Sequence, residues 1–148
     1  MSRRMNNILV IGATGQIGSE LTPALREKYG KDSVVATYYS TEHPEGDLGE
    51  GPLEELDIMD RKAMAGLIDK YNIDSVFNLA AILSAKGEEN PEEAFRVNVI
   101  GFFKLLQLGR KLNLNRIIIP SSIGVFGPEV PSENAPNETV LRPTSMYG

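Results

Sequence analysis

Cysteine is absent from this 148-residue chain, which excludes disulfides, thiol nucleophiles and cysteine-ligated metal sites. Histidine is nearly absent. The one instance, His43, lies beside Pro44 in the Ser40–Gly51 stretch, rich in Glu, Gly, Asp and Pro, and reads as a solvated loop residue. No run of residues approaches the ~20 apolar positions of a membrane span. Residues 1–7 carry Arg3 and Arg4 but no apolar signal-peptide core, since the run behind them is only strand-length. A surplus of positive charge is missing too: the formal net charge is -5 and the bases are dispersed. Nucleic acid and anionic membranes are therefore not expected as partners, and the cytoplasm is the expected compartment. There is no internal repeat and no linker.

What is present begins with Ile8-Leu9-Val10-Ile11-Gly12-Ala13-Thr14-Gly15-Gln16-Ile17-Gly18. Four apolar, mostly β-branched residues predict a strand buried on both faces of a parallel sheet. Gly12 lets the chain turn sharply, Gly15 lets a pyrophosphate approach the backbone, and Gly18 lets the following helix pack close to the strand. The first-turn amides, at Gln16 and Ile17, then face the phosphates. Strand, glycine turn and helix in that order are the context a dinucleotide-binding motif requires.

Periodicity extends this unit along the chain. A helix is expected from Gly15 to Tyr29, with Ile17, Leu21, Leu25 and Tyr29 on its apolar face and Pro23 as a possible break. Residues 33–38 read as the second strand and 53–58 as a third, less apolar and nearer an edge. Asp60 caps a helix presenting Met64, Leu67, Ile68 and Tyr71. Residues 74–80 are the fourth strand, followed by a glycine- and charge-containing loop. Asn90-Pro91-Glu92-Glu93 starts a helix with Ala94, Asn98, Gly101, Leu105, Leu108 and Leu112 on one stripe. Residues 116–120 form the fifth strand, with Ser121-Ser122 at its carboxyl end. From Pro128 to Gly148 four prolines mark an ordered excursion without strand or helix. With 41% hydrophobic and 24% charged residues the chain suits one domain. Alternation of strands and helices predicts an α/β, doubly wound parallel sheet in the order 3-2-1-4-5.

Ligands of such a sheet lie outside the carboxyl ends of its strands. The sequence puts there the glycine turn, Tyr38, Asp57-Ile58, Leu79-Ala80-Ala81 and Ser121-Ser122. Asn98 is polar on an apolar stripe, so it either braces neighbouring backbone or orders a water. Taken singly, Ser121-Ser122 reads equally as a strand cap and Tyr147 as a surface tyrosine.

Taken together, these residues resemble the extended short-chain dehydrogenase/reductase family. The matching segments are Gly12-x-x-Gly15-x-x-Gly18, Asn78-Leu79-Ala80-Ala81, Asn98, Ser121 to Gly127, and Met146-Tyr147-Gly148. Within that family, Leu79 to Ala85, Gly87-Glu88-Glu89-Asn90-Pro91, Pro120 to Ile123 and Glu138 to Gly148 are similar to its L-threonine 3-dehydrogenases. The resemblance implies NAD as cofactor and L-threonine as small-molecule substrate, oxidised to 2-amino-3-oxobutyrate. It implies that Tyr147, as phenolate, takes the proton of the substrate hydroxyl, that Ser122 hydrogen-bonds that hydroxyl, and that Asn98 completes the catalytic set. It implies that Ser84, Thr144 and Ser145 line the substrate pocket, that Asp57 and Ile58 flank the adenine, and that Leu79, Ala80 and Ala81 lie under the cofactor.

Two departures qualify it. The acid that usually ends the second strand is replaced by Tyr38, with Tyr39 after it. The charge-assisted bond to the ribose is lost. No Lys or Arg stands between Val34 and Thr41, so NAD is expected to be preferred over NADP only modestly. The family motif Tyr-x-x-x-Lys also runs past Gly148. The resemblance thus covers the cofactor-binding half, residues 1–148 as one domain lacking the substrate domain, and this chain alone is expected not to turn over threonine. A dinucleotide-binding module without turnover and a sugar-nucleotide epimerase or dehydratase are the competing readings. The uncovered apolar edge of strand five predicts a homo-oligomer.

Overall fold

The computed structural model describes residues 5–40 and 48–148. The loop reading of residues 41–47, His43 included, lies outside the described residues. Strands β1 (Ile8–Ile11), β2 (Val34–Tyr38), β3 (Leu53–Glu55), β4 (Ser75–Asn78) and β5 (Arg116–Ile118) form one sheet in the order β3-β2-β1-β4-β5. Every pairing is parallel, with Leu9 opposite Val35 on one side and Val76 on the other. β1 is central, so all four of its residues are buried.

Side-chain alternation splits the core between the two faces of the sheet. Ile8, Val10, Val34 and Ala36 pack with Leu25 of helix α1 (Gln16–Tyr29) and with Leu48. Leu9, Ile11, Val35 and Val76 pack with Met64, Leu67 and Ile68 of α2 (Arg61–Lys70) and with Leu105 and Leu108 of α5 (Phe102–Lys111). Asp60 caps α2 as expected, its carboxylate accepting from the Lys62 and Ala63 amides at 2.9 Å each.

The structure differs from the sequence reading at several places. Pro23 does not break α1, because Thr22, Leu25 and Arg26 on either side of it are buried against the sheet. Ile17 is not on the buried face and is 55% exposed; Gly18 takes its place, allowing the helix to approach the strand. The loop expected after β4 contains a short helix, α3 (Ser84–Glu89), in which Gly87 packs against Ala94. The single helix expected from Asn90 is α4 (Pro91–Phe95), a π-helical turn over Arg96–Gly101, and then α5. Ala94, Gly101, Leu105 and Leu108 stay on the buried stripe, whereas Leu112 lies past the end of α5 and is exposed.

Strands β3 and β5 are also shorter than expected, so Leu56–Ile58 and Ile119–Ser122 leave the sheet as loop and are free to form walls. No strand or helix forms from Pro128 to Gly148. Among the described residues no helix is long and apolar enough to cross a membrane.

Candidate functional site

Two clefts open side by side at the carboxyl ends of the strands, sharing Leu79, Ala80 and Ala81 as a common wall. The first, about 290 Å³, is lined by Gly12, Thr14 and Gly15 after β1, by Tyr39 after β2, by Leu56, Asp57 and Ile58 after β3, and by Glu93, Arg96 and Val97. The second, about 280 Å³, is lined by Asn78, Asn98, Phe102, Ser121, Ser122, Val125 and Tyr147 among others.

The three glycines of the turn have different constraints. Gly12 has φ +78° and abuts the wall, where a Cβ would stand 3.0 Å from the Ala80 amide nitrogen. At Gly18 a Cβ would stand 2.5 Å from the Gly12 carbonyl oxygen and 2.6 Å from the Ala13 backbone. Gly15 is different. Its backbone is extended, and a Cβ would meet only the Gly12 oxygen, at an ordinary 3.5 Å. The chain itself gives Gly15 room for a side chain, and that room is the cleft. Gly15 also caps α1 without any side-chain hydrogen bond, and no acid stands in the first turn. The leading amides and the positive helix end therefore suit an anion. A diphosphate-bearing dinucleotide fits these features.

Gln16 and Ile17 take part through that helix start; their side chains are exposed and line neither cleft. Tyr38 ends β2 opposite Glu55, while its neighbour Tyr39 lines the first cleft. Asp57 accepts the Met59 amide at 2.8 Å, fixing its carboxyl at the cleft's edge. Arg96 donates from Nε and Nη2 to the two oxygens of Glu93, at 2.7 and 2.8 Å. That bond holds the Glu93 carboxyl below its usual range and raises Arg96, with smaller contributions to Arg96 from Asp57 and Tyr39. Tyr39, Glu93 and Arg96 were not among the residues expected at the site. The i, i+3 spacing of Glu93 and Arg96 signals a pair, but nothing local says it borders a cleft.

In the second cleft, Ser122 Oγ accepts the Gly124 amide at 3.1 Å and caps a short turn over Ile123–Val125. A Cβ on Gly124 would lie 3.3 Å from Tyr147 Cδ1 and 3.4 Å from Ser122 Oγ, so the ring and the hydroxyl approach the same side of Gly124. Asn98 gives both ends of its amide to the backbone of Ile82. Asn78 is buried, and its Oδ1 has no partner among the described residues. Among the described residues, none that lines this cleft is charged. Ser84 and Thr144 are exposed and outside both walls, and Ser145 caps the Gly148 amide at 3.1 Å.

The model of the NAD dependent epimerase/dehydratase family matches residues 8–148. The chain belongs to this family. A protein of Staphylococcus saprophyticus known only as an uncharacterized epimerase/dehydratase is 42% identical over 144 residues, 97% of this chain and 45% of its own length. The X-ray structure of L-threonine dehydrogenase from Clostridium difficile superposes with a TM-score of 0.90 at 39% identity, covering 99% of this chain and 46% of that one. UDP-glucose 4-epimerase from Thermotoga maritima superposes at 0.84 with 28% identity, over 96% and 46% of the two chains. The chain thus spans about half the length of the relatives it matches. Family membership implies a nicotinamide dinucleotide as cofactor, in agreement with the open first turn of α1.

Proposed function

We propose that this chain is the NAD-binding portion of an L-threonine 3-dehydrogenase, with Ser122 and Tyr147 as its catalytic residues and Asn98 as a positioning residue. The observation that carries the reading is the approach of Ser122 and Tyr147 to one side of Gly124, in a cleft sharing a wall with the one that Gly12 and Gly15 open.

Gly12, Gly15 and the amides of Gln16, Ile17 and Gly18 hold the pyrophosphate. Tyr38, Tyr39, Asp57 and Ile58 take the adenosine end, and Leu79, Ala80 and Ala81 run under the dinucleotide into the second cleft. Ser122 Oγ hydrogen-bonds the threonine hydroxyl, and the Tyr147 oxygen receives its proton. Asn98 acts through Ile82, fixing the shared wall. NAD, when bound, supplies the acceptor for the hydride leaving the same carbon. Ser84 and Thr144 stand outside the walls and belong to the rim that meets substrate.

The sugar-nucleotide reading keeps the same cofactor cleft and changes only the occupant of the second. Titrating the NAD-loaded chain with L-threonine and, separately, with UDP-glucose separates them. Threonine is expected to shift the NMR signals of Ser122 and Tyr147. Shifts from UDP-glucose alone favour the epimerase, and shifts from neither overturn the assignment of the second cleft.

A further inference from the structure

Residues 127–148 follow the Ile123–Val125 turn without strand or helix, so no hydrogen-bond ladder fixes where Tyr147 ends up. A Glu129–Arg142 ion pair at 3.1 Å closes the segment on itself. Its end is located by tight contacts: a Cβ on Gly148 would lie 2.1 Å from the Gly124 carbonyl oxygen. One hydrogen bond ties that end to a separate helix. The Glu88 carboxylate of α3 accepts the backbone N–H of Met146 at 2.5 Å, across 58 residues of sequence.

We propose that Glu88 is a positioning residue for Tyr147. Holding the Met146 N–H fixes the backbone one residue before the tyrosine, and with it the direction of the ring over Gly124 towards Ser122. A carboxylate accepting an N–H is the charge-assisted, stronger kind of hydrogen bond, suited to an exposed place where a neutral pair competes poorly with water. The same bond orients α3. Ser84 and Glu88 are four residues apart, so they share a helix face, and the face that reaches Met146 also carries Ser84. Glu88 therefore ties α3 to the segment that carries Tyr147 into the second cleft. This rests on the reading of Ser122 and Tyr147 as the reacting pair.

The test uses the whole 148-residue chain, with amide exchange measured at Met146 and the tyrosine ring signals assigned by Tyr147→Phe. Glu88→Ala is expected to speed Met146 exchange about tenfold or more, as loss of a bond to a charged group implies, and to move the Tyr147 ring signals. The thermal midpoint should change little, since the bond is exposed and supports no part of the sheet. Glu88→Gln keeps an acceptor oxygen without the charge and should restore only part of both signatures. Unchanged exchange in Glu88→Ala, or faster exchange with unmoved Tyr147 ring signals, would overturn the proposal. Exchange is read without substrate, so it reports on Glu88 even where threonine fails to bind and the functional reading falls.

Discussion

Asn98 and Ile82 form a two-way pair: Asn98 Oδ1 accepts the Ile82 amide at 2.8 Å while its Nδ2 donates to the Ile82 carbonyl at 2.9 Å. The pair spans the cleft end of β4 and the π-helical turn, and Ile82 directly follows the wall shared by both clefts. Asn98→Leu leaves both backbone groups without partners, at about 1–3 kcal/mol each when buried. Because the pair is only part-buried, urea unfolding should show a total loss of about 1–3 kcal/mol, together with weaker NAD binding. Asn98→Asp keeps the acceptor alone and should fall between. A Leu variant as stable as the parent would remove Asn98 from this role.

The glycine turn separates ligand constraint from packing constraint. Gly18→Val drives carbons into backbone at Gly12 and Ala13 and should prevent normal folding. Gly15→Val should fold with a thermal midpoint close to the parent, because its Cβ meets only ordinary contacts. Calorimetry should nevertheless show NAD affinity lost in Gly15→Val. Unchanged affinity there would mean that the pyrophosphate is not bound at this turn.

At the adenosine end, Tyr38→Asp restores the acid that resemblance leads one to expect and should tighten NAD by about tenfold, the worth of one hydrogen bond to a charged group. It should weaken NADP, whose added phosphate would meet a carboxylate. Tyr39→Ala, removing a ring from the first cleft, should weaken both dinucleotides alike. Titration of each variant with each cofactor gives four affinities, and a Tyr38→Asp variant that binds NAD more weakly would misplace the second strand's end.

Acid stability should depend on Glu54. Bonds from Lys70 and then Tyr71 hold its carboxyl below the usual range. A carboxylate depressed in the folded state stabilises fully above the unfolded value of about 4.3 and loses that contribution as pH falls through the folded one. Glu54→Gln should therefore lower the thermal midpoint modestly at pH 7 and not at all in strong acid. The effect is small because the Lys70 side chain is 58% exposed. A difference that persists unchanged into strong acid would assign it to packing instead.

The β5 edge should mediate self-association. Among the described residues β5 pairs only with β4, and its Ile118 is half-buried. Light scattering of the 148-residue chain should show mass rising with concentration, and Ile118→Lys, a charge on the edge strand, should suppress the rise. A parent chain that remains monomeric at high concentration removes the edge as an interface.

Much of the fold was legible because its signals are local. Ile8–Ile11 is apolar on both faces and so belongs at the centre of a parallel sheet, and Gly12 and Gly18 mark the turn that follows. Asp60 and Asn90 cap through atoms two or three residues away, which any reading of neighbouring positions finds. Strand order followed from right-handed crossovers between parallel strands. Helix α3 reads as loop because Gly87 is a helix breaker, yet in the fold Gly87 is buried beside Ala94.

The sequence by itself thus determined the alternation and the place of the glycine turn, which depend on residues within a few positions of one another. It also determined the strand order, which the fixed hand of the crossovers then dictates. Tertiary structure decided what the polar residues do. Asn98 could brace backbone or order a water, and only the arrival of Ile82 beside it assigned its amide. Gly15 and Gly18 look alike in a motif, yet a neighbouring carbonyl crowds one and a cleft faces the other. Glu88 has no partner legible in its own stretch of sequence, and a segment 58 residues away brings the Met146 N–H to it. Periodicity encodes which face a residue takes, whereas the partner it meets there is fixed by distant chain packing around a shared core.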